Sequence, residues 1–550
     1  MFRTKSDAVK IGYDSIRVPS RNGVSFTPEN NQLIVDLTRN IGFCDLSNSY
    51  LECDVTVTLG ADSAKHAFNK NCGVLSAIRT QNIRSEGRLI EQLDHMNIYS
   101  NLHYLASADK GVVTKRERTE MCMKDYQQVN NPWCARNEDV AVGVNSVAVA
   151  QPLTQKVAVP LLGGLFTTSK AFPLMSAPLE LELILAQASH ALHVVDGMED
   201  VDCDDVDGEA STGAAVEITK FTVSNSDAYG DATTGNGKNL LANCPWRVGQ
   251  AVEVTGNIDA AGQTTVATTI KSLEIVGSKL VIETNTKLGD IPAATPAKKA
   301  EDVGITAIVG NTVLGDAASY KIDNPRLVVS KVIPPPAQVQ AAARMMAKGQ
   351  YTFNITSYTD FQNAIDANVV NSTNMVPADL TRSKSILSVP IIMHQVDTTA
   401  NDNALGGRYG DAKEYQYQIA NILRPDRRVN VEREAFGGYG TPAPPYAKPV
   451  WALGARPSGL HLYEVEKALS AANIPVRNLS FLTNNAEEGR GSWLVARSLG
   501  PYGLSENLNG VSTILYLNYN STHSANILLH NFVVHVRTIG ISMSGVEVFN

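Results

Sequence analysis

Histidines and acidic residues are the first places to look for chemistry in this sequence, because they bind metal ions and transfer protons. The ten histidines are scattered along the chain, and no H-x-H pair occurs. His190 and His193 are three residues apart, and His530 and His535 are five apart. On a strand, an odd spacing sends two side chains to opposite faces of the sheet. The sequence therefore predicts no metal site at these histidines.

Two pairs of glutamates have a spacing of two, Glu180 with Glu182 and Glu464 with Glu466. On a strand, this spacing puts both carboxylates on one face. Catalytic carboxylate pairs, however, usually come from different strands. Since each pair alternates with apolar residues, we interpret both as solvated faces of strands.

An acidic run between residues 197 and 211 contains five aspartates within eight positions. Such a run could bind calcium in a flexible loop. A calcium loop of the EF-hand type would need an acid where Cys203 stands and a glutamate where Ala214 stands. The run is therefore predicted to be a solvated surface loop, with a weak calcium site as the alternative.

Glycine-rich segments begin at Gly163, Gly235 and Gly437. None has the G-x-x-x-x-G-K-[ST] spacing of a phosphate-binding loop, and none reads as a strand, a turn and a helix. No G-x-S-x-G nucleophile elbow occurs. We interpret these glycines as turns between strands. The sequence thus predicts no catalytic, cofactor-binding or metal-binding residue, no cofactor and no enzymatic activity.

The composition is that of a folded protein with ample material for its cores. Of 550 residues, 43% are hydrophobic and 19% are charged, which excludes a disordered chain. The formal net charge of −8 argues against a surface that binds nucleic acid globally.

Seven cysteines, an odd number, all precede residue 245, which favours a reducing compartment over a disulfide framework. No apolar run of 18 residues is present, and no apolar block follows the basic N-terminal residues. We therefore expect a protein without a signal peptide, synthesised in the interior of the cell.

Period-two alternation is the dominant pattern of the sequence. From Leu51 to Leu59, leucine, cysteine and valine alternate with acids and threonines. The pattern recurs at residues 179–185, 351–356, 515–519 and 532–537. Alternation with one wet face is typical of antiparallel sheets.

Helical patterns are few. Three segments have helical composition or periodicity: residues 91–106, residues 337–348 after a run of three prolines, and residues 411–423. The predicted class is all-β with a few short helices in the connections.

The chain divides by composition. Residues 196–320 are rich in Gly, Ala, Thr and Asp and carry strand patterns of their own, so they are predicted to be a β-rich domain inserted in a loop. The predicted organisation is an N-terminal arm at 1–30, a first unit at 31–195 and 321–380, the insertion at 196–320, and a second unit at 381–550.

The sequence resembles the double jelly-roll major capsid proteins of double-stranded DNA viruses, in particular those of virophages, polinton-like viruses and large eukaryotic DNA viruses. The segments that carry the resemblance are residues 42–57, 77–102, 171–186, 320–336, 349–358 and 509–548. They touch both halves of the chain.

The resemblance implies two tandem jelly-roll β-sandwiches, with the insertion as an outward tower. It also implies a homotrimer whose six rolls form a pseudo-hexagonal capsomer in an icosahedral virion. Implied partners are neighbouring capsomers, penton proteins and minor capsid or cement proteins. An internal membrane or the genome could contact the basic arm, and no small-molecule substrate is expected. Residues 442–457, which contain Trp451, are the predicted intersubunit loop.

Two alternatives remain at this stage. One is a related virion component, such as a penton or a receptor-binding spike, which would usually have one roll. The other is a β-sandwich carbohydrate-binding protein or enzyme, whose site residues the linear sequence would hide.

Overall fold

The computed structural model describes most of the chain. The described residues are 12–58, 66–69, 71–107, 116, 119–122, 136–142, 145–151, 153–168, 170–194, 198–199, 216–218, 220–223, 251–259, 262–276, 279–286, 289–291, 305–310, 319–367, 369–392, 412–431, 459–477, 479, 493–500, 504–519, 526–542 and 545–549.

Eight strands form a first sandwich of two antiparallel sheets. One sheet has the order β1-β8-β3-β6, and the other has the order β2-β7-β4-β5. The strands are β1 (Gly12–Pro19), β2 (Gln32–Leu37), β3 (Phe43–Thr58), β4 (Ile78–Ser85), β5 (Arg88–Leu93), β6 (Leu153–Pro160), β7 (Leu179–Leu185) and β8 (Ser319–Ile333).

Eight further strands repeat this arrangement in a second sandwich. Its sheets have the orders β9-β16-β11-β14 and β10-β15-β12-β13. The strands are β9 (Tyr351–Ile365), β10 (Asn371–Met375), β11 (Ser383–Ile392), β12 (Ala412–Ile419), β13 (Ile422–Asn430), β14 (Val495–Ser498), β15 (Thr513–Tyr519) and β16 (Ile527–Ser542).

The two strand orders are the same when each set of eight is counted from its own first strand. In both sets, strands one, eight, three and six form one sheet, and strands two, seven, four and five form the other. This connectivity is that of a jelly roll. The predicted fold of two tandem jelly rolls is therefore confirmed.

The alternating sequences form these strands because each sheet buries one face against the other sheet. In β3, Leu51, Cys53, Val55 and Val57 are all at most 1% exposed, while the residues between them are only half-buried. Strand β15 shows the same alternation along its whole length.

Shorter elements decorate the rolls. Strand Ser25–Phe26 pairs with β8, strand Phe172–Pro173 with β3, and strand Gly545–Phe549 with β16. A separate two-stranded sheet pairs His66–Phe68 with Leu192–Val194, and a hairpin joins Arg136–Val142 to Asn145–Gln151. Short helical turns lie at Arg39–Ile41, Val74–Ala77, Leu165–Thr167 and Ala188–Ala191.

The segment between β7 and β8 carries sheets of its own. A six-stranded sheet has the order Met198–Glu199, Ile305–Gly310, Ala251–Asp259, Gly262–Val276, Lys279–Thr284 and Lys220–Val223, and Val216–Ile218 pairs with Gly289–Ile291. Among the described strands from residue 198 to residue 310, every pairing stays within this segment. The β-rich insertion therefore lies in the last loop of the first roll.

Three longer helices lie in the connections: α1 (Met96–Ser107), α2 (Pro336–Ala347) and α3 (Gly459–Ala471). The first two agree with the sequence, although β5 takes up the start of the predicted helix at 91–106. The helix predicted at 411–423 is wrong, because this segment forms β12 and its hairpin with β13. No helix in the described part of the chain is long and apolar enough to cross a membrane.

The predicted domain limits need two corrections. Residues 12–19, assigned to an arm, form β1 of the first roll and pair with β8 along their whole length. Residues 351–380, assigned to the first roll, form β9 and β10 of the second, because β9 pairs with β16 at the far end of the chain. The first roll ends at Ile333, and α2 connects it to β9.

Candidate functional site

The two jelly rolls meet along a buried interface, which we call the inter-roll seam. On the second roll it is formed by β9 and β16, which pair without interruption from Tyr351 opposite Ile541 to Ile365 opposite Ile527. On the first roll it is formed by the end of β5, the start of α1 and the segment 161–174. The seam fixes how the two sandwiches stand relative to each other.

Aromatic contacts occupy one part of the seam. The rings of Phe172 and Phe353 lie 5.4 Å apart between their centroids. The Tyr351 hydroxyl donates a hydrogen bond of 2.9 Å to the carbonyl of Ala171, and burial raises the pKa of Tyr351 to about 12. The Lys170 ammonium donates to the carbonyl of Thr352 at 2.8 Å. These contacts join the loop before β7 to the first residues of the second roll.

A buried carboxylate lies next to them. Glu91 of β5 is fully buried and accepts hydrogen bonds from the backbone amides of Gly164 at 2.9 Å and Leu165 at 3.3 Å. Burial raises its pKa, and the two amides and the charge of Arg537 oppose that rise. Arg537 of β16 reaches across the seam and donates to the carbonyl of Ile90 at 3.1 Å.

Gly164 is required here by space rather than by backbone conformation. Its φ of −59° and ψ of −40° are open to any residue. A Cβ atom at this position would lie 2.7 Å from the carbonyl oxygen of Thr356 and 2.9 Å from Cβ of Ile355. The segment that begins at Gly163 is thus a turn, as the sequence predicts, and it lets the two rolls approach closely.

Further along the seam, aromatic rings pack next to a polar cluster of His95, Asp360 and His530, which we call the seam cluster. Tyr99 of α1 stacks on Tyr358 with 4.1 Å between ring centroids, and Phe532 packs edge-on against both rings. Beyond them, Oδ2 of Asp360 lies 2.9 Å from Nδ1 of His95 and 2.8 Å from Nδ1 of His530.

The Asp360 carboxylate is almost completely buried, with 1% of its side chain exposed. Burial by itself would raise the pKa of this group, but the hydrogen bonds from His530 and His95 outweigh it and lower the pKa to about 2. Asp360 is therefore ionised at neutral pH. The atoms of His95, Asp360 and His530 that could ligate a metal ion all lie within 4.8 Å of one another.

A separate surface of the second roll exposes large apolar side chains around a groove. Leu423 and Tyr463 line this groove, together with Arg497 and Lys467. Glu464 within it is buried and accepts from Arg497 and Lys467. We call the exposed apolar side chains of this groove, Leu423 at 45% and Tyr463 at 55% exposure, the apolar patch.

Both glutamate pairs singled out in the sequence were expected on solvated strand faces, and the structure differs for each pair. Glu464 lies on helix α3 rather than on a strand, and Glu466 lies on the same helix. Glu180 and Glu182 lie on β7 as predicted, but Glu182 is largely buried and accepts from Asn82 at 3.0 Å.

His190 lies within the helical turn Ala188–Ala191, His193 follows in a strand, and the two are not part of the seam cluster. Only His530 of the histidines considered in the sequence belongs to it. The five aspartates of the acidic run, Gly235, Gly437 and the loop with Trp451 lie outside the described residues. Four cysteines, Cys44, Cys53, Cys72 and Cys122, are buried.

The partners of the seam cluster come from three distant segments of the chain, and no spacing in the sequence connects them. The sequence contains only a weak indication of this cluster. Asp360 is the one charged residue in the strand pattern at 351–365, and His530 lies within an apolar strand.

The strand orders and the buried seam define this chain as a double jelly-roll protein. It is similar in structure to the Faustovirus major capsid protein, with 9% identity and a TM-score of 0.47 over 98% of this chain and 92% of that chain. It is similar to the mavirus major capsid protein, with 10% identity and a TM-score of 0.40 over 100% and 93%. A chain of the Sputnik virophage gives 11% identity and a TM-score of 0.46 over 100% and 91%. No family model and no curated protein matches the sequence.

The close approach at Gly164 generates a first prediction. Gly164→Ala should lower the free energy of unfolding by about 1–3 kcal/mol, because the new methyl group must displace the Thr356 carbonyl or the Ile355 side chain. Gly459→Ala is the matched control, since nothing lies within 4 Å of its added Cβ and its φ is ordinary. Denaturant unfolding measures both. Equal effects of the two substitutions would contradict the proposed packing of the seam.

Buried histidines generate a second prediction, for the dependence of stability on pH. Burial lowers the pKa of His535 from 6.5 to about 4 and that of His461 to about 3. Between pH 6.5 and pH 4 the unfolded chain therefore takes up protons that the folded chain does not. Stability should fall as the pH falls through this window, by about 1.4 kcal/mol per pH unit for each such histidine.

His535→Leu isolates one of these protons. It should reduce the slope of unfolding free energy against pH by about one proton in that window. Denaturant unfolding at a series of pH values measures this. An identical slope for His535→Leu and the unmodified protein would contradict the burial argument.

Proposed function

We propose that this chain is a major capsid protein, a building block of an icosahedral virion with no catalytic activity of its own. The observation that carries the proposal is the presence of two complete jelly rolls joined by a buried seam. Two jelly rolls that are held at a fixed angle by a buried seam can serve as a building block of a shell, because this role depends on shape rather than on catalysis.

The described ionisable groups fit a structural role better than a catalytic one. Glu91 and Asp360 are buried in the seam, and each accepts hydrogen bonds that hold one roll to the other or to its own loops. The Glu464 carboxylate ties α3 to β14 through Arg497. A carbohydrate-binding or enzymatic function would need converging side chains in an open cleft. A penton would usually need one roll.

A homotrimer is the proposed unit of assembly. Three chains with two rolls each supply six rolls, which can close into a ring of pseudo-sixfold symmetry with true threefold symmetry. Such a capsomer can tile the faces of an icosahedron. Obligate contacts of this kind bury on the order of 2,000–5,000 Å² per interface.

We assign the apolar patch to a contact with a second copy of this chain. Large apolar side chains grouped around one groove are typical of protein interfaces. The groove also holds fixed charges, with Arg424 paired to Glu506 at 2.8 Å, and these would give the contact its orientation. The previously predicted intersubunit loop at 442–457 remains a second proposed contact.

The other proposed partners follow from the placement of the chain in a shell. The insertion leaves the first roll between β7 and β8, where it can form a tower on the outer surface without disturbing either sheet. Neighbouring capsomers, penton proteins and minor capsid or cement proteins would contact the sides of the trimer.

The basic N-terminal arm keeps a reduced role in this proposal. Arg17 pairs with Glu52, and Arg21 pairs with Asp36 and Glu180, so these two cations belong to the surface of the first roll. The remaining basic residues, Arg3, Lys5 and Lys10, would contact an internal membrane or the genome beneath the shell.

Light scattering of the purified full-length protein tests the assembly. The expected mass is three times 59.2 kDa. Leu423→Asp and Tyr463→Asp should each raise the concentration at which the trimer dissociates by at least about tenfold, since a carboxylate would be buried in the contact. Val24→Asp, at an apolar position that is 71% exposed outside the patch, is the matched control.

Two outcomes would contradict this assignment. A monomer at every concentration would remove the support for a trimeric capsomer. A trimer whose dissociation is the same in the patch variants and in Val24→Asp would exclude the apolar patch from the contact.

A further inference from the structure

Three metal-ligating side chains from both rolls converge in the seam. His95 lies between β5 and α1 of the first roll, Asp360 on β9 and His530 on β16 of the second. In the register of β9 and β16, Asp360 stands opposite Phe532 and Gln362 stands opposite His530. Asp360 and His530 are therefore diagonal neighbours on one face of the sheet. His95 has a φ of +51°, in the left-handed region that few residues other than glycine, asparagine, aspartate and histidine adopt.

The geometry of the three side chains is close to that of a bound metal ion. Both Nδ1 atoms lie within 2.9 Å of the same carboxylate oxygen, and the imidazole centroids are 4.7 Å apart. Around a tetrahedral zinc ion, with bonds of about 2.0–2.2 Å, neighbouring ligand atoms are roughly 3.3–3.5 Å apart. Movements of about half an ångström, within reach of side-chain torsions, would open the cluster enough to admit the ion.

The second oxygen of Asp360 is an independent observation. Oδ1 is buried and makes no hydrogen bond to any residue that the structure describes. A buried carboxylate oxygen without a partner is costly, because it has lost its water and gained nothing in return. A cation bound to the carboxylate would supply the missing interaction.

The donor set selects the kind of ion. Two imidazole nitrogens and one carboxylate oxygen suit Zn²⁺ and similar transition metals. Mg²⁺ and Ca²⁺ prefer sites made entirely of oxygen ligands. The side-chain amide of Gln362 lies 3.0 Å from Nδ1 of His95 through its nitrogen. Rotating this amide by half a turn would place its oxygen there instead and offer a fourth ligand.

We propose that His95, Asp360 and His530 form a binding site for one transition-metal ion, best matched to Zn²⁺, that joins the first roll to the second. The ion would be bound by neutral imidazoles with their remaining proton on Nε2. His95 is the ligand nearest to solvent, with 20% of its side chain exposed against 2% for His530, so the ion would enter from its side.

A zinc titration of the intact, chelator-treated protein tests the site. Calorimetry should give one equivalent of Zn²⁺ per chain, and saturating zinc should raise the melting temperature by several degrees, since the ion binds the folded seam only. Substituted Co²⁺ should give the visible absorption of a tetrahedral site. Mg²⁺ and Ca²⁺ should have no effect at the same concentration.

Substitutions identify the ligands. His95→Gln and Asp360→Asn should each weaken zinc binding at least about tenfold and abolish the rise in melting temperature. His190→Gln makes the same change outside the cluster and should bind zinc like the unmodified protein. His95→Gln is the decisive variant, because its partly exposed side chain can be replaced with little risk to folding.

Two results would overturn the proposal. One is a folded, unmodified protein that binds no zinc or cobalt, in which case the three side chains are a hydrogen-bonded clasp and nothing more. The other is zinc binding that His95→Gln and Asp360→Asn leave unchanged, which would place the ion elsewhere on the chain.

Discussion

The structure depends on one constraint: the β9–β16 pair must pack against the first roll. A sandwich ordinarily buries the inner faces of its sheets and leaves the outer faces to water. Here the buried apolar residues of both rolls form one continuous cluster rather than two. The Phe172–Phe353 contact and the stacked Tyr99 and Tyr358 rings are the bridges between the two cores.

The polar groups of the seam make this contact specific. An apolar interface alone tolerates sliding, whereas a buried carboxylate is stable only where its partners are in place. Glu91 finds its partners in the turn at Gly164, and Asp360 finds His95 across the interface. Asp360 thereby fixes one position of the second roll against the first, and Glu91 fixes the turn that the second roll packs against. The insertion is tolerated because it lies in the loop between β7 and β8, and its described strands pair only with one another.

Much of the fold could be predicted from the sequence because period-two alternation is a local pattern. The strand at residues 51–59 and helix α2 after its prolines are examples. The segment 411–423 contains good helix formers, yet it forms β12, and its Tyr415 and Tyr417 side chains are buried. Strand β12 pairs with both β13 and β15, and this tertiary pairing overrides the helix propensity of the segment. Helix α3 was missed although His461, Val465 and Ala468 have helical spacing and are buried.

Pairing partners far along the chain could not be predicted in the same way. The limit between the rolls depends on β9 finding β16, and the seam cluster depends on three separate segments meeting in space. Neither leaves a local pattern in the sequence.

Electron microscopy of the purified protein tests the central claim most directly, because it images the arrangement of the rolls. Averaged views along the symmetry axis should contain six similar densities in a hexagonal outline, grouped as three seam-joined pairs. Averages that contain two rolls only, or rolls in any arrangement without threefold symmetry, would contradict the account.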